Sequence, residues 1–165
     1  MKKLLVLLFS ITCFGTSVFG QVKYSTYHNS RFFFSIDYPS SLVIMQDPPA
    51  NNDGRTFLSK DGRVEMRAWG QYNAQFLTVE EQFAEELNGH ELEAITYKTL
   101  SKNWFVITGV VGRRVFYQKT LYHRFKETGV FYTFTIEYPE SEKRKYDPVV
   151  KRIEKSFRFD PNADV

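Results

Sequence analysis

Histidines, serines and acidic residues are the groups from which this chain could build a reactive centre, and their spacing argues against one. His28, His90 and His123 fall in three separate parts of the 165-residue sequence. There is no His-x-x-x-His or Cys-x-x-Cys pair of the kind that holds zinc. His123 could act as a base toward Ser101 or Ser59, but nothing in the spacing brings them together. Asn51, Asn52, Asp53 and Asp61 offer oxygen ligands in a short window. The alternating ligand ladder and closing glutamate of a calcium loop are missing. Asn-Asp-Gly and Lys-Asp-Gly read instead as turns, because Asn and Gly accept positive φ. No catalytic residue, metal site or cofactor is assigned. An envelope hydrolase built on this chain would have to gather Asp53, Asp61 and His90 in the fold.

Binding chemistry is better represented. Arg113, Arg114, Lys119, Arg124 and Lys126, with His123 among them, precede the first acid at Glu127. Such a run could meet an anionic polysaccharide, lipid head group or acidic protein surface. The cations fall on both strand parities, however, so a solvated hairpin guarding a sheet edge is the expectation. Aromatics make up 17% of the chain, and most sit in strand patterns where core filling explains them. Trp69 and Tyr72 are the exceptions, and an exposed pair there would form a small binding patch. The candidate binding residues are therefore Trp69, Tyr72, Arg113, Arg114, Lys119 and Arg124.

The N-terminus supplies an address. Met1-Lys2-Lys3 is followed by an apolar run from Leu4 to Phe14 and by small residues through Gly20. That pattern is a secretory signal, too short to span a bilayer, and cleavage is expected between Gly20 and Gln21. Residues 21–165 then form a single domain. Losing Lys2 and Lys3 lowers the formal charge from +3 to +1, and nucleic acid needs a clustered excess of cations that this chain lacks. Cys13, the only cysteine, leaves with the signal, so burial rather than disulfides must stabilise the domain. Ser10-Ile11-Thr12 is a poor approach to a lipidated cysteine, and no stable membrane insertion is expected after processing.

The elements that must position these residues are mostly strands. Phe32, Phe34, Ile36 and Tyr38 alternate with polar residues up to Pro39, and Tyr132 to Tyr138 repeats the pattern up to Pro139. Val64, Met66 and Ala68 form a third alternating set. Ile95–Leu100, Trp104–Val111 and Val115–Tyr122 are apolar on both faces and are expected nearer the sheet centre. Lys60-Asp61-Gly62, Gly112 and Thr128-Gly129 mark hairpins. Thr78 and Glu81 form a capping box, with Val79, Phe83 and Leu87 as a buried stripe. A second helix is expected from Asp147, with Pro148 at its first position and Val149, Val150, Ile153 and Phe157 buried; Ser141–Tyr146 could add a preceding turn. Pro48 to Gly54 reads as a surface loop.

These residues resemble the PsbP-like superfamily: Tyr38-Pro39-Ser40-Ser41, Asn52-Asp53-Gly54, Ser59-Lys60-Asp61-Gly62, Asn103 to Gly109, Phe116 to Lys119, and Tyr146-Asp147-Pro148 through Phe157. The fold is shared by the extrinsic PsbP subunit of photosystem II and a Ran-binding nuclear import factor. The resemblance spans residues 22–159 and implies an α+β fold: an α/β/α sandwich with a central, mostly antiparallel sheet of about six to seven strands and two main flanking helices. It also implies docking onto larger assemblies, and it carries over no catalytic residues. The expected protein is an exported, monomeric, non-catalytic binding or accessory domain of the periplasm or cell exterior, whose partner is a protein or envelope component. The alternatives are the hydrolase named above and a carrier of small apolar ligands, which would need an apolar cavity between sheet and helix.

Overall fold

The computed structural model describes residues 21–89, 94–125 and 128–163. Residues 1–20, where the signal is expected, and His90, Lys126 and Glu127 lie outside the described residues.

Two of the turn signals act as expected, whereas Thr128 and Gly129 lie inside a strand, paired with Phe125 and Arg124. Strand β4 (Gly54–Ser59) and strand β5 (Glu65–Tyr72) pair across Lys60-Asp61-Gly62. Gly62 has φ 68° there, a conformation that suits a residue without a β-carbon. Strand β7 (Trp104–Val111) turns at Gly112 into β8 (Arg114–Phe125), and β8 pairs with β9 (Thr128–Pro139). With β3 (Val43–Met45) and β6 (Ala94–Ser101), these strands form an antiparallel sheet in the order β3-β4-β5-β9-β8-β7-β6. A smaller sheet joins β1 (Ser25–Asn29), β2 (Phe34–Tyr38) and β10 (Arg158–Phe159).

Helix α1 (Val79–Gly89) covers one face of the large sheet. Val79, Phe83 and Leu87 pack on Phe105, Ile107 and Phe131. Its capping box is formed: Thr78 N–H donates to the Glu81 carboxylate at 2.7 Å, and Glu81 N–H donates to Thr78 Oγ1 at 3.1 Å. Helix α2 (Lys143–Ser156) and the small sheet cover the other face, where the main core lies. Phe157 meets Phe34 at 6.0 Å and Phe134 at 5.2 Å edge to face in that core, and Tyr138 stacks on Tyr146 at 5.1 Å. Lys119 ties α2 to the sheet through Glu154 at 3.0 Å.

The structure departs from the sequence reading at four further points. Ile95–Leu100 belongs to β6, which is the outermost strand and not a central one. Periodicity reports what a strand could bury, whereas chain topology decides what arrives to bury it. The true centre is β9, buried on both faces from Gly129 to Phe134. The cations of β8 guard no edge, because β8 lies between β7 and β9. The strand of the Phe-rich run, β2, starts at Phe34, since Phe33 takes φ 51° and breaks the extended run. Finally, the turn expected over Ser141–Tyr146 is present, as a 3-10 turn at Glu140–Glu142 and the first residues of α2, but it is continuous with the helix, so Pro148 lies inside α2 and not at its first position. The N–H that Pro148 lacks would have served the carbonyl of Arg144, an exposed residue whose carbonyl water can serve.

Candidate functional site

One end of the molecule gathers three connections: 30–33 between β1 and β2, 46–53 between β3 and β4, and 73–78 between β5 and α1. Two buried asparagines hold them. Asn29 accepts from the backbone N–H groups of Arg31 (3.0 Å) and Phe32 (2.8 Å), and donates to the Asn52 carbonyl at 3.0 Å. Arg31 reaches across to the Asn51 carbonyl. Asn73 donates through its side chain to the Leu77 carbonyl at 2.8 Å and accepts from Leu77 N–H at 2.9 Å. Its backbone N–H is fixed on the Gly129 carbonyl at 2.8 Å. Side-chain amides used this way replace the ladder bonds that the loops have left, so these turns are rigid.

Each clamped turn pushes one phenylalanine outward. Phe76 has φ 57° and is 81% exposed; Phe33 has φ 51° and is 41% exposed. A bulky side chain in the left-handed region costs about 1–2 kcal/mol, and solvent exposure leaves the apolar ring unburied as well. Both penalties are retained at this end, beside Tyr72, which is 42% exposed with its ring 5.0 Å from that of Phe32. The result is a fixed set of outward aromatics over a buried hydrogen-bond frame. Its chemistry is recognition of a surface, since an aromatic ring offers contact area at low entropic cost.

Next to it lies an open cleft of ≈ 490 Å³ between the 46–53 loop and Trp69, with Arg55 and Arg67 in its wall. The Arg55 guanidinium sits over the Tyr27 ring at 5.3 Å and donates to the Gln46 carbonyl at 3.3 Å, while its buried Nε has no hydrogen-bond partner among the described residues.

The residues singled out from sequence separate into distinct places. Trp69 and Tyr72 differ by three positions on one strand and point to opposite faces of β5: Trp69 lies opposite Thr133, Tyr72 opposite Val130. They do not form one pair. Arg113 is exposed in the β7–β8 turn at the far end, beside Arg114, which reaches Glu137 at 3.2 Å and the Arg63 carbonyl at 2.8 Å. Lys119 is engaged with Glu154 under α2. Arg124 is exposed near the loop-bearing end of β8. Among the described residues no single cationic stripe results.

Two of the hydrolase candidates, Asp53 and Asp61, are likewise apart. Asp53 precedes β4 and Asp61 follows it, and six residues of strand hold them about 20 Å apart. Asp61 is spent on its turn: Ser59 Oγ, Arg63 N–H and Arg63 Nε donate to it at 2.6–3.1 Å. The Ser59 and Arg63 bonds hold its carboxyl well below the usual range. His123 stands between Phe125 and Phe159, with ring centroids 4.3 and 4.6 Å away. Ser101, on β6, lies two strands from it. Among the described residues no group of three or more His, Cys, Asp or Glu side chains could hold a metal ion.

Phe33 and Phe76 were not reachable from periodicity. Phe33 hides in the run Phe32-Phe33-Phe34, where alternation alone cannot say which ring leaves the core. Phe76 offers one usable signal, a large aromatic between a strand end and a helix cap with no apolar partner at helical or strand spacing.

The architecture is that of the PsbP-like α+β fold. No family model matches the chain, and no curated protein matches it in sequence. Among solved structures it is similar to the solution structure of cyanobacterial PsbP (CyanoP) from Synechocystis sp. PCC 6803, with a TM-score of 0.57 and 13% identity over 90% of this chain and 98% of that one. It is also similar to the Ran-binding protein Mog1p of Saccharomyces cerevisiae, with a TM-score of 0.53 and 10% identity over 84% of this chain and 96% of that one. At such identities the likeness establishes the fold.

Proposed function

We propose that this chain is an exported, non-catalytic binding domain that docks on a protein or assembly of the cell envelope through its loop-bearing end. The observation that carries the reading is Phe76, held outward at an energetic penalty by a turn anchored on buried Asn73. Strain that the surrounding structure enforces, at an exposed aromatic, marks a surface kept for contact. Phe33, Tyr72 and the Trp69 cleft extend that surface, with Arg124 on β8, the second strand from β5 in the sheet. The apolar leader and the small residues before Gln21 support export. Mog1p, one of the structural neighbours, is itself named for binding another protein.

A photo-crosslinking residue at position 76, in the chain expressed in its native cells, tests the reading. One discrete adduct from position 76, absent from exposed position 155 on α2, is the expected result. Equal adducts from both positions, or none from position 76, would overturn it.

A further inference from the structure

The two edges of the large sheet are treated differently. At one edge, β3 has only three residues, and the chain beyond it stays on β4 through Gln46 N–H and the Thr56 carbonyl at 2.9 Å. At the other edge, β6 is eight residues long, about 26 Å, and pairs with β7 alone. Its outer row of backbone N–H and C=O groups has no strand beside it among the described residues. Exposed edges of this length are normally shortened, covered or charged, because they template the addition of another strand. Here Ile95 and Leu100 are each 40% exposed and Tyr97 is 56% exposed. The strand carries the composition of an interior strand in an edge position. Such a conflict between local sequence and global placement points to function.

The guards that β6 does carry leave its second half open. A bulge falls between Ile95 and Tyr97, where Thr96 Oγ1 donates to the Thr108 carbonyl at 3.3 Å. From Tyr97 to Ser101 the pairing is regular. Where this half begins, at Thr96 and Tyr97 beside the bulge, a groove of ≈ 480 Å³ lies on the α2 face, lined by Val110, Val115, Tyr117 and Val150 and by charged side chains of the 3-10 turn and α2, among them Lys151 and Glu154. An edge strand whose start, at Tyr97, borders a groove with apolar and charged walls against a helix supplies the two parts of strand-addition recognition. Backbone hydrogen bonds provide affinity, and a pocket receives alternate side chains.

Charge selects the occupant. The segment Ala94–Ser101 contains one ion, Lys98, and no acid, and Lys98 has no ion-pair partner among the described residues. A second copy of β6 pairing on itself would set Lys98 against Lys98 or against a neutral residue. A foreign strand with a carboxylate opposite Lys98 would gain from it.

We infer that β6 is an acceptor edge for an extended, apolar segment of a partner protein, which adds as a further strand, places a carboxylate against Lys98 and sends an apolar side chain over Tyr97 into the α2 groove. The inference rests on the reading of the chain as a binding domain, and it concerns a second surface, formed by different residues from the loop-bearing end.

Short random peptides displayed on phage, panned on the chain from Gln21 onward, test it. Enriched peptides should alternate apolar residues with a carboxylate at one position, and binding should protect the amides of Tyr97 to Ser101 from hydrogen exchange. Lys98→Glu should weaken such peptides about tenfold and select peptides with a cation at the same position. Phe76→Gly should leave peptide binding unchanged, so failure at the loop-bearing end and failure here are separable. Three outcomes overturn the inference: no enriched peptide, peptides indifferent to Lys98→Glu that leave the β6 amides unprotected, or concentration-dependent protection of the same amides without peptide, which would mean self-pairing.

Discussion

The ring of Phe32 rests on the bare α-carbon of Gly70: a β-carbon on Gly70 would stand 2.5 Å from Phe32 Cγ and 2.7 Å from its Cβ. That contact seats the β1–β2 turn against β5, and through it fixes where Phe33 emerges and where Tyr72 lies. Gly70→Ala should therefore cost about 1–3 kcal/mol by overpacking. A lower urea midpoint with an unchanged slope checks it; an unchanged midpoint would show that Phe32 can yield freely.

Asn73 is buried, and both polar ends of its amide are engaged with Leu77. Asn73→Ala should leave two backbone groups unsatisfied and cost about 1–3 kcal/mol. Hydrogen exchange at Leu77 N–H should accelerate more than exchange at the centre of β9. Uniform acceleration across the sheet would mean global destabilisation without loss of the turn.

The Tyr132 hydroxyl is buried and has no hydrogen-bond partner among the described residues. Its ring is held by Phe34 and Phe159 at 6.1 and 5.1 Å, so the shape matters and the oxygen does not. Tyr132→Phe should raise stability by about 1 kcal/mol in denaturant unfolding at neutral pH. Burial also pushes the phenols of Tyr117, Tyr132 and Tyr138 upward. A raised folded-state value means that their contribution is intact below about pH 10, the value of a free phenol, and is lost as pH rises beyond it. Tyr132→Phe should lessen that alkaline loss, and an unaltered alkaline limb would contradict the assignment.

In acid the sign reverses. Ser59 and Arg63 hold the Asp61 carboxyl below its ordinary value, so its contribution is present above about pH 4 and lost as pH falls through the folded-state value. Asp61→Ala should lower the urea midpoint at pH 7, with a deficit that narrows below about pH 4. A deficit independent of pH would assign the effect to turn geometry alone.

Much of this fold was legible because its signals are local. Asp61-Gly62 and Gly112 place hairpins, Thr78 and Glu81 cap α1, and Pro39 and Pro139 end strands at the residues expected. The seven-stranded sheet with a helix on each face agrees with what the PsbP-like resemblance implies. What could not be read was long-range. The exposure of Tyr97 depends on no strand following β6 in the sheet, and the outward turn of Phe33 depends on Gly70 far along the chain. Trp69 has the parity of Glu65 and Arg67 and Tyr72 follows Gly70, which suggests an exposed pair, but an odd separation on a strand sends two side chains to opposite faces.

The measurement that reaches the central claim most directly is a paired one on Phe76→Gly: unfolding free energy, and yield of the cross-linked adduct from neighbouring Gln75. Glycine removes both the left-handed strain and the exposed ring, so stability should rise by about 1 kcal/mol while the adduct disappears. Lower stability with an undiminished adduct would show that Phe76 serves the fold and not a partner.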